Sequence, residues 1–311
     1  MGDRLLHAVP LTRSRLWFIA GAVVLAANGI GPAGASIPPA GGTLPSGPSH
    51  IAVIVFENEE TGAILGPSSD APYFRSLAAS SVNLTRLFAT SHPSLPNYLA
   101  LTSGSTHGIT SDCTTCFVHA RNIVDQLEHA GISWKAYMES IPGPCSTAPY
   151  AGTYALKHDP FMYYDDVRND PDRCDKVVPL RQLRADLTAD VLPAFSWITP
   201  NLCHDMHDCS VAIGDRFLHT WGPRIVAGLG TNGILIVLFD EGDTSAGCCS
   251  EQAAGGHITG IITGPGAGLA VTIGTRVDQY SVLKLIEDAW GLRELGSAAS
   301  APAIAGWQFP A

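Results

Sequence analysis

Apolar and polar positions part sharply at residue 57. Ile51-Ala52-Val53-Ile54-Val55-Phe56 is unbroken apolar sequence, followed at once by Glu57 and Asn58. Such a run, without alternation, predicts a strand buried on both faces, as in a parallel sheet. Residues 233–239 repeat the design, with Ile234-Leu235-Ile236-Val237-Leu238-Phe239 ending in Asp240-Glu241. Elsewhere the pattern predicts helices over 72–80, 122–129, 180–187, 214–229 and 280–290, and a turn with a helix start over 93–101. Further strands are predicted over 82–88, 133–138, 194–198 and 257–262. Residues 140–176 show no period and are rich in Pro, Tyr, Asp and Cys. They predict a disulfide-braced insertion that shapes a substrate pocket. The order of elements predicts an α/β fold, a mostly parallel central sheet with helices on both faces.

The N-terminus predicts a targeting segment. Arg4, Arg13 and Arg15 precede an apolar core over 16–27, and Ala33-Gly34-Ala35 offers a small-x-small cleavage site. That is the layout of a signal peptide cut after Ala35, so the protein is expected to be secreted. The core is shorter than the roughly 20 residues of a membrane span, so no stable membrane insertion is expected after cleavage. Residues 36–49 are rich in Pro, Gly and Ser and predict a flexible linker, which leaves 50–311 as one large domain. All eight cysteines follow residue 35, which fits disulfides in an oxidising compartment. Cys113–Cys116 and Cys203–Cys209 are spaced as local staples, and Cys145–Cys174 as a brace for the insertion. Cys248 and Cys249 pair with each other or elsewhere. Lys and Arg number 18 against 28 Asp and Glu, a net charge of −10, which argues against a nucleic-acid partner.

Reactive side chains gather where the apolar runs stop. In open α/β sheets such groups lie just beyond the carboxyl ends of strands. Glu57, Asn58, Asp240 and Glu241 bring oxygen donors to one edge, with Asp243 close behind. Like charges there are costly without a counter-cation, so a divalent metal of unspecified identity is the expected cofactor. An Asp-Glu pair alone reads equally well as a solvated acidic loop. Ser94 stands between Pro93 and Pro96 at a helix start, where free N–H groups can meet an anion. Beside a metal, its hydroxyl is a candidate nucleophile for phosphorus. Alone it would read as a turn or cap serine. Asn97 is a candidate phosphoryl contact. His204-Asp205-Met206-His207-Asp208, between Cys203 and Cys209, offers imidazoles and carboxylates for metal, substrate or proton transfer. His257, after Gly255-Gly256, is a further candidate.

Taken together, four segments resemble the bacterial phosphoesterase family of secreted acid phosphatases and phospholipases C, within the alkaline-phosphatase-like superfamily. They are Glu57-Asn58, His92-Pro93-Ser94-x-Pro96-Asn97-Tyr98, Pro200-Asn201 with Asp205-Met206-His207-Asp208, and Asp240-Glu241-x-Asp243. They stand in the family's order across residues 50–292. The resemblance implies an alkaline-phosphatase-like α/β/α sandwich and metal-dependent hydrolysis of phosphoric esters. It implies Ser94 as nucleophile with its oxygen near the metal, and Glu57, Asn58, Asp240 and Glu241 as metal ligands. Asn97 and His207 would contact the phosphoryl or leaving group, with Asp205 and Asp208 orienting that histidine or assisting the metal. The chain departs from the pattern at Gln279, where relatives carry histidine, and at Gly242, where they often carry an acid. His257 is the expected substitute. A soluble phosphomonoester is the expected substrate, and a membrane phospholipid cleaved on the glycerol side is the alternative. Two other classes fit the residues alone: a glycosidase using Glu57 and Asp240 as its carboxylate pair, and a non-catalytic secreted protein with a structural cation site.

Overall fold

In the computed structural model, which describes residues 47–244, 254–307 and 309, the first apolar run becomes a central strand. This strand, β1 (Ile51–Phe56), is buried at every position. The main sheet adds β2 (Val82–Leu84), β3 (Trp134–Met138), β4 (Val177–Pro179), β5 (Phe195–Thr199), β6 (Ile234–Phe239), β7 (Gly260–Thr263) and β8 (Val271–Ile273). Its spatial order is β8-β2-β7-β6-β1-β5-β3-β4. Strands β6, β1, β5, β3 and β4 run parallel, and β7 is antiparallel to both neighbours. The mostly parallel α/β sheet expected from the sequence is therefore present.

Register decides what each face meets. Phe56 lies beside Phe239, and Val53 beside Trp197. Side chains alternate along a strand, so Phe56 and Val53 face opposite sides. On the Phe56 side pack α1 (Pro72–Ser80), whose Phe74 meets the Phe56 ring at 5.1 Å, and a long helix whose Phe217 meets it at 6.1 Å. On the Val53 side packs α2 (Ser94–Ser103), whose Tyr98 approaches Trp197 at 6.3 Å. The remaining long helices are α3 (Arg181–Ala189), α4 (Val211–Gly228), which carries Phe217, and α5 (Gln279–Ala289), which packs on α2. Each large side chain buried here contributes roughly 1.5–3 kcal/mol by leaving water.

Two predicted strands divide. The run 82–88 breaks at Thr85-Arg86, and Leu87–Phe88 pairs instead with His257–Ile258 and Val277–Asp278 in a small second sheet. Residues 257–262 part in the same way at Thr259. In both runs a threonine interrupts the apolar sequence and the halves bury themselves in different sheets.

The insertion is irregular, as expected. It holds a hairpin (Tyr150–Ala151 with Tyr154–Ala155), two 3₁₀ turns (Leu156–His158 and Pro160–Tyr163) and the short helices Asp165–Arg168 and Pro171–Cys174. Cys145–Cys174 closes it, and Cys113–Cys116 and Cys203–Cys209 are also joined. Arg173 ties the insertion to the helix Ile123–His129 through Asp125 and Glu128. Cys248, Cys249, the expected signal segment and most of the expected linker lie outside the described residues. Among the described residues, no helix is long and apolar enough to cross a membrane.

Candidate active site

Strand alternation continues past the last strand residue. Glu57 follows Phe56 and turns to the α2 side, where Ser94 opens the helix after a cis His92–Pro93 peptide. Ser94 Oγ lies 3.0 Å from Glu57 Oε2 and 3.3 Å from Glu241 Oε1. Tyr98, one turn further on, donates its hydroxyl to Glu57 Oε1. Asp240 accepts from the backbone N–H of Asn58 at 3.2 Å and of Glu241 at 2.6 Å, while its Oδ2 is buried without a hydrogen-bond partner among the described residues. His92 Nδ1 sits 2.5 Å from Glu241 Oε2, and its Nε2 has no hydrogen-bond partner among the described residues. Glu57, Ser94 and Asp240 are all fully buried.

The loop before α2 is held from within. Asn97 Oδ1 accepts from Ser91 N at 2.9 Å, and Asn97 Nδ2 donates to Ser91 O at 2.9 Å and Pro93 O at 3.1 Å. Its amide is thus engaged with the loop rather than turned toward a substrate. Gln279, at the start of α5, joins this loop to the strand end: Nε2 donates to Asp240 O, and Oε1 accepts from Thr90 N at 3.0 Å.

A second arm arrives from the insertion. The turn Leu156–His158 places His158 with Nε2 3.1 Å from Glu57 Oε2 and Nδ1 3.3 Å from Asp205 Oδ2, its ring stacked on Tyr98. One donor atom each from Glu57, His158 and Asp205 lies within 4.8 Å of the others. Lys157, 7% exposed, places Nζ 2.9 Å from Asp112 Oδ2 and 3.0 Å from His207 Nε2. Asp112 Oδ1 also accepts the N–H of Leu95, the residue after Ser94, at 3.0 Å. His207 Nδ1 meets Asp208 at 2.7 Å, so both ring nitrogens are engaged. The loop carrying Asp205 and His207 lies directly on α4, where a Cβ on Gly214 would come within 2.4 Å of Met206 Cε.

Burial drives the electrostatics. Desolvation raises the Glu57 and Asp205 carboxyls to about 7 and Glu241, beside Asp240, to about 9. Asp240 is pushed well above the carboxylate range by burial and then by Glu57. His158 and His207 are lowered by the same loss of water. Several acids crowded out of solvent, with Asp240 Oδ2, Asp205 Oδ2 and His158 Nε2 lacking aligned hydrogen-bond partners, form a mixed oxygen and nitrogen donor set that suits a divalent cation.

The structure thus gathers Glu57, Ser94, Asp240, Glu241, Asp205 and His207 in one region, with Asn58 contributing its backbone N–H. Asp243 is exposed. His204 turns to Glu139, with Nδ1 2.8 Å from Oε2. His257, the expected substitute at the acids, is engaged elsewhere: Nε2 lies 2.9 Å from Thr85 O and the ring stacks on Phe88 in the small sheet. Sequence reasoning named His92 and Tyr98 only as parts of the Ser94 segment, without a role, and did not select Asp112, Lys157 or His158. The available signal for the last two was the titratable run Lys157-His158-Asp159 ahead of Pro160, inside an otherwise aromatic stretch.

Comparison with known proteins agrees with this geometry. The model of the Phosphoesterase family matches residues 50–293. A phosphatidylinositol-3-phosphatase of Mycobacterium tuberculosis is 34% identical over 82% of this chain and 81% of its own length. An acid phosphatase of Aspergillus fumigatus is 30% identical over 71% of this chain, which spans 51% of the fungal protein. Among solved structures, a Vibrio parahaemolyticus protein of the alkaline phosphatase superfamily superposes with a TM-score of 0.54 at 15% identity, covering 80% of this chain and 69% of its own.

Proposed function

Since the chain belongs to the phosphoesterase family and is a hydrolase of phosphoester bonds, we propose that it is a secreted, metal-dependent phosphomonoesterase with Ser94 as nucleophile. The observation that carries this reading is the buried Ser94 hydroxyl between Glu57 and Glu241, side chains from the ends of two adjacent parallel strands. The reported relatives are named as phosphatases, which favours a monoester over phospholipid cleavage on the glycerol side. A monoester carried on a lipid headgroup belongs to the same class. Three disulfides support an extracytoplasmic location.

Glu57, Asp240 and Glu241 would hold a divalent cation with Asn58 and Ser94, and His158 and Asp205 flank Glu57 as further donors. When bound, the cation supplies charge neutralisation at the phosphoryl group and lowers the pKa of the Ser94 hydroxyl. The residues then divide the work. Ser94 Oγ attacks phosphorus in line with the leaving oxygen, and its proton passes to Glu241 Oε1. As the bond from phosphorus to the alcohol oxygen breaks, the alkoxide takes a proton from His92 Nε2, giving free alcohol and phosphoserine. Water next attacks phosphorus, losing a proton to His92. The bond from phosphorus to Oγ breaks, and Ser94 recovers its proton from Glu241 as phosphate leaves. Asn97 positions the Ser94 loop. The resemblance put His207 at the phosphoryl or leaving group; with both ring nitrogens engaged, it serves in this reading as a positioning residue for Lys157.

Replacing Ser94 with Ala should lower kcat on p-nitrophenyl phosphate by at least about 10³-fold while the melting temperature stays within a few degrees. Acid quench of the wild type during turnover should trap phosphoserine at position 94. Near-normal turnover in the variant would refute the nucleophile.

A further inference from the structure

We propose that Lys157 is the specificity-determining cation of this site, the group that makes it favour doubly charged phosphomonoesters over singly charged phosphodiesters. The inference rests on the proposed function and deepens it.

Three observations point to Lys157. First, its ammonium is almost buried, which is costly unless the charge is matched. Second, Nζ carries three donors, and two are committed, to Asp112 Oδ2 and His207 Nε2. A third donor remains for an incoming oxygen. Third, the position of Nζ is tied to the nucleophile. Asp112 holds Lys157 with one carboxylate oxygen and the N–H of Leu95, next to Ser94, with the other. The ammonium and the serine hydroxyl therefore share one rigid bracket.

Charge sets the expected selectivity. The named side chains around Ser94 include the carboxyls of Glu57, Glu241, Asp240, Asp205 and Asp112, and among them Lys157 is the permanent side-chain cation. At near-neutral pH a monoester brings two negative charges and a diester one. A fixed ammonium with a donor to spare stabilises the extra equatorial oxygen charge that the monoester alone carries into the transition state. A second alkyl or aryl group on that oxygen removes the charge and occupies the space beside Nζ. His207, held by Asp208 on its far side, keeps Nζ from swinging toward Asp112 alone.

The competing reading is that Lys157 and Asp112 are only a structural ion pair. Lys157→Met and Lys157→Arg separate the two. Each is assayed as the metal-loaded full chain with p-nitrophenyl phosphate and with bis-p-nitrophenyl phosphate. The inference expects Lys157→Met to lower kcat/KM for the monoester about 100-fold or more and for the diester less than about 10-fold. Lys157→Arg should restore part of the ratio. Inorganic phosphate, measured by calorimetry, should bind at least about 10-fold more weakly to Lys157→Met. Equal losses for both esters, or unchanged phosphate affinity in a folded variant, would overturn the proposal. If Lys157→Met does not fold, Asp112→Asn decides: it keeps an acceptor for Leu95 N–H but loosens Lys157, and an unchanged monoester-to-diester ratio would overturn the proposal equally. The parent reading fails separately, through an active Ser94→Ala enzyme or a wild type that hydrolyses neither ester.

Discussion

The two arms of the site are built on opposite principles. Glu57 and Asp240 leave the ends of β1 and β6, strands buried along their whole length and paired residue for residue. Lys157 and His158 leave a single 3₁₀ turn in an irregular segment closed by Cys145–Cys174 and anchored through Arg173. The strand arm is rigid because moving it would unpack the core. The insertion arm holds its place through polar contacts with the very groups it serves: Lys157 bonds to Asp112 and His207, and the His158 ring lies between Glu57 and Asp205. One arm concentrates negative charge at a cost, and the other supplies cationic and imidazole groups that offset part of it. Neither alone makes a site for phosphate.

The largest expected effect comes from neutralising the strand arm. Glu57→Gln should lower kcat by about 10³-fold or more, since it strips a charge from the proposed cation site and an acceptor from Ser94 Oγ. The same change should make the metal-free protein more stable at pH 8. A carboxyl whose folded pKa is raised leaves stability unaffected below its unfolded value, subtracts from it as pH rises toward the folded value, and subtracts in full above that. For Glu57 and Asp205 the window runs from about 4 to about 7, and for Glu241 on to about 9. Glu57 alone corresponds to roughly 3 kcal/mol at its upper end. Melting of the metal-free wild type should therefore fall as pH rises from 6 to 9, and a divalent cation should restore it most at the alkaline end. Flat melting across that range, with no response to cation, would mean the acids are not a strained cluster and the contrast between the arms is false.

A smaller effect separates two imidazoles, His92 in the serine loop and His207 behind Lys157. His92→Gln should slow alkyl phosphates by about 10²-fold and p-nitrophenyl phosphate far less, because p-nitrophenolate leaves without a proton. His207→Gln should slow both alike, by about 10-fold, since it acts through Lys157. The reverse pattern would return the general acid to His207.

The strand arm was legible in the sequence because six consecutive apolar residues, β-branched in large part and too few for a buried helix of ordinary length, fit a strand buried on both faces, and the acids that end such runs then lie at the sheet's edge. Ser94 was legible from its prolines, and Asp205 and His207 from their density between two cysteines. The insertion arm was hidden because 3₁₀ turns impose no long period. Lys157, moreover, is a residue type that is almost always exposed; only the fold brings Asp112 and His207, 45 and 50 residues away, to its ammonium. The roles of Asn97 and His257 could not be read either, since an amide or imidazole looks the same in sequence whether it faces a substrate or its own backbone. The split strands teach a related lesson: Thr85 and Thr259 were the visible interruptions, and a reading by apolar content passed over them.

The smallest expected effect is at His257, which belongs to neither arm. The ring lies against Phe88 with centroids 4.9 Å apart, and Nε2 is engaged by the Thr85 carbonyl. The stacking lies within the small sheet and the Thr85 carbonyl at the break just before it, and Leu87–Phe88 joins that sheet to the loop leading to His92. His257→Gln keeps a donor for the carbonyl and loses the stacking, which is worth about 1 kcal/mol. Stability should fall by that order, visible as a modest drop in melting temperature, and kcat/KM should stay within about twofold. A tenfold loss of activity in a folded His257→Gln protein would place a third source of catalytic groups at the site, and the division into strand arm and insertion arm would have to give way.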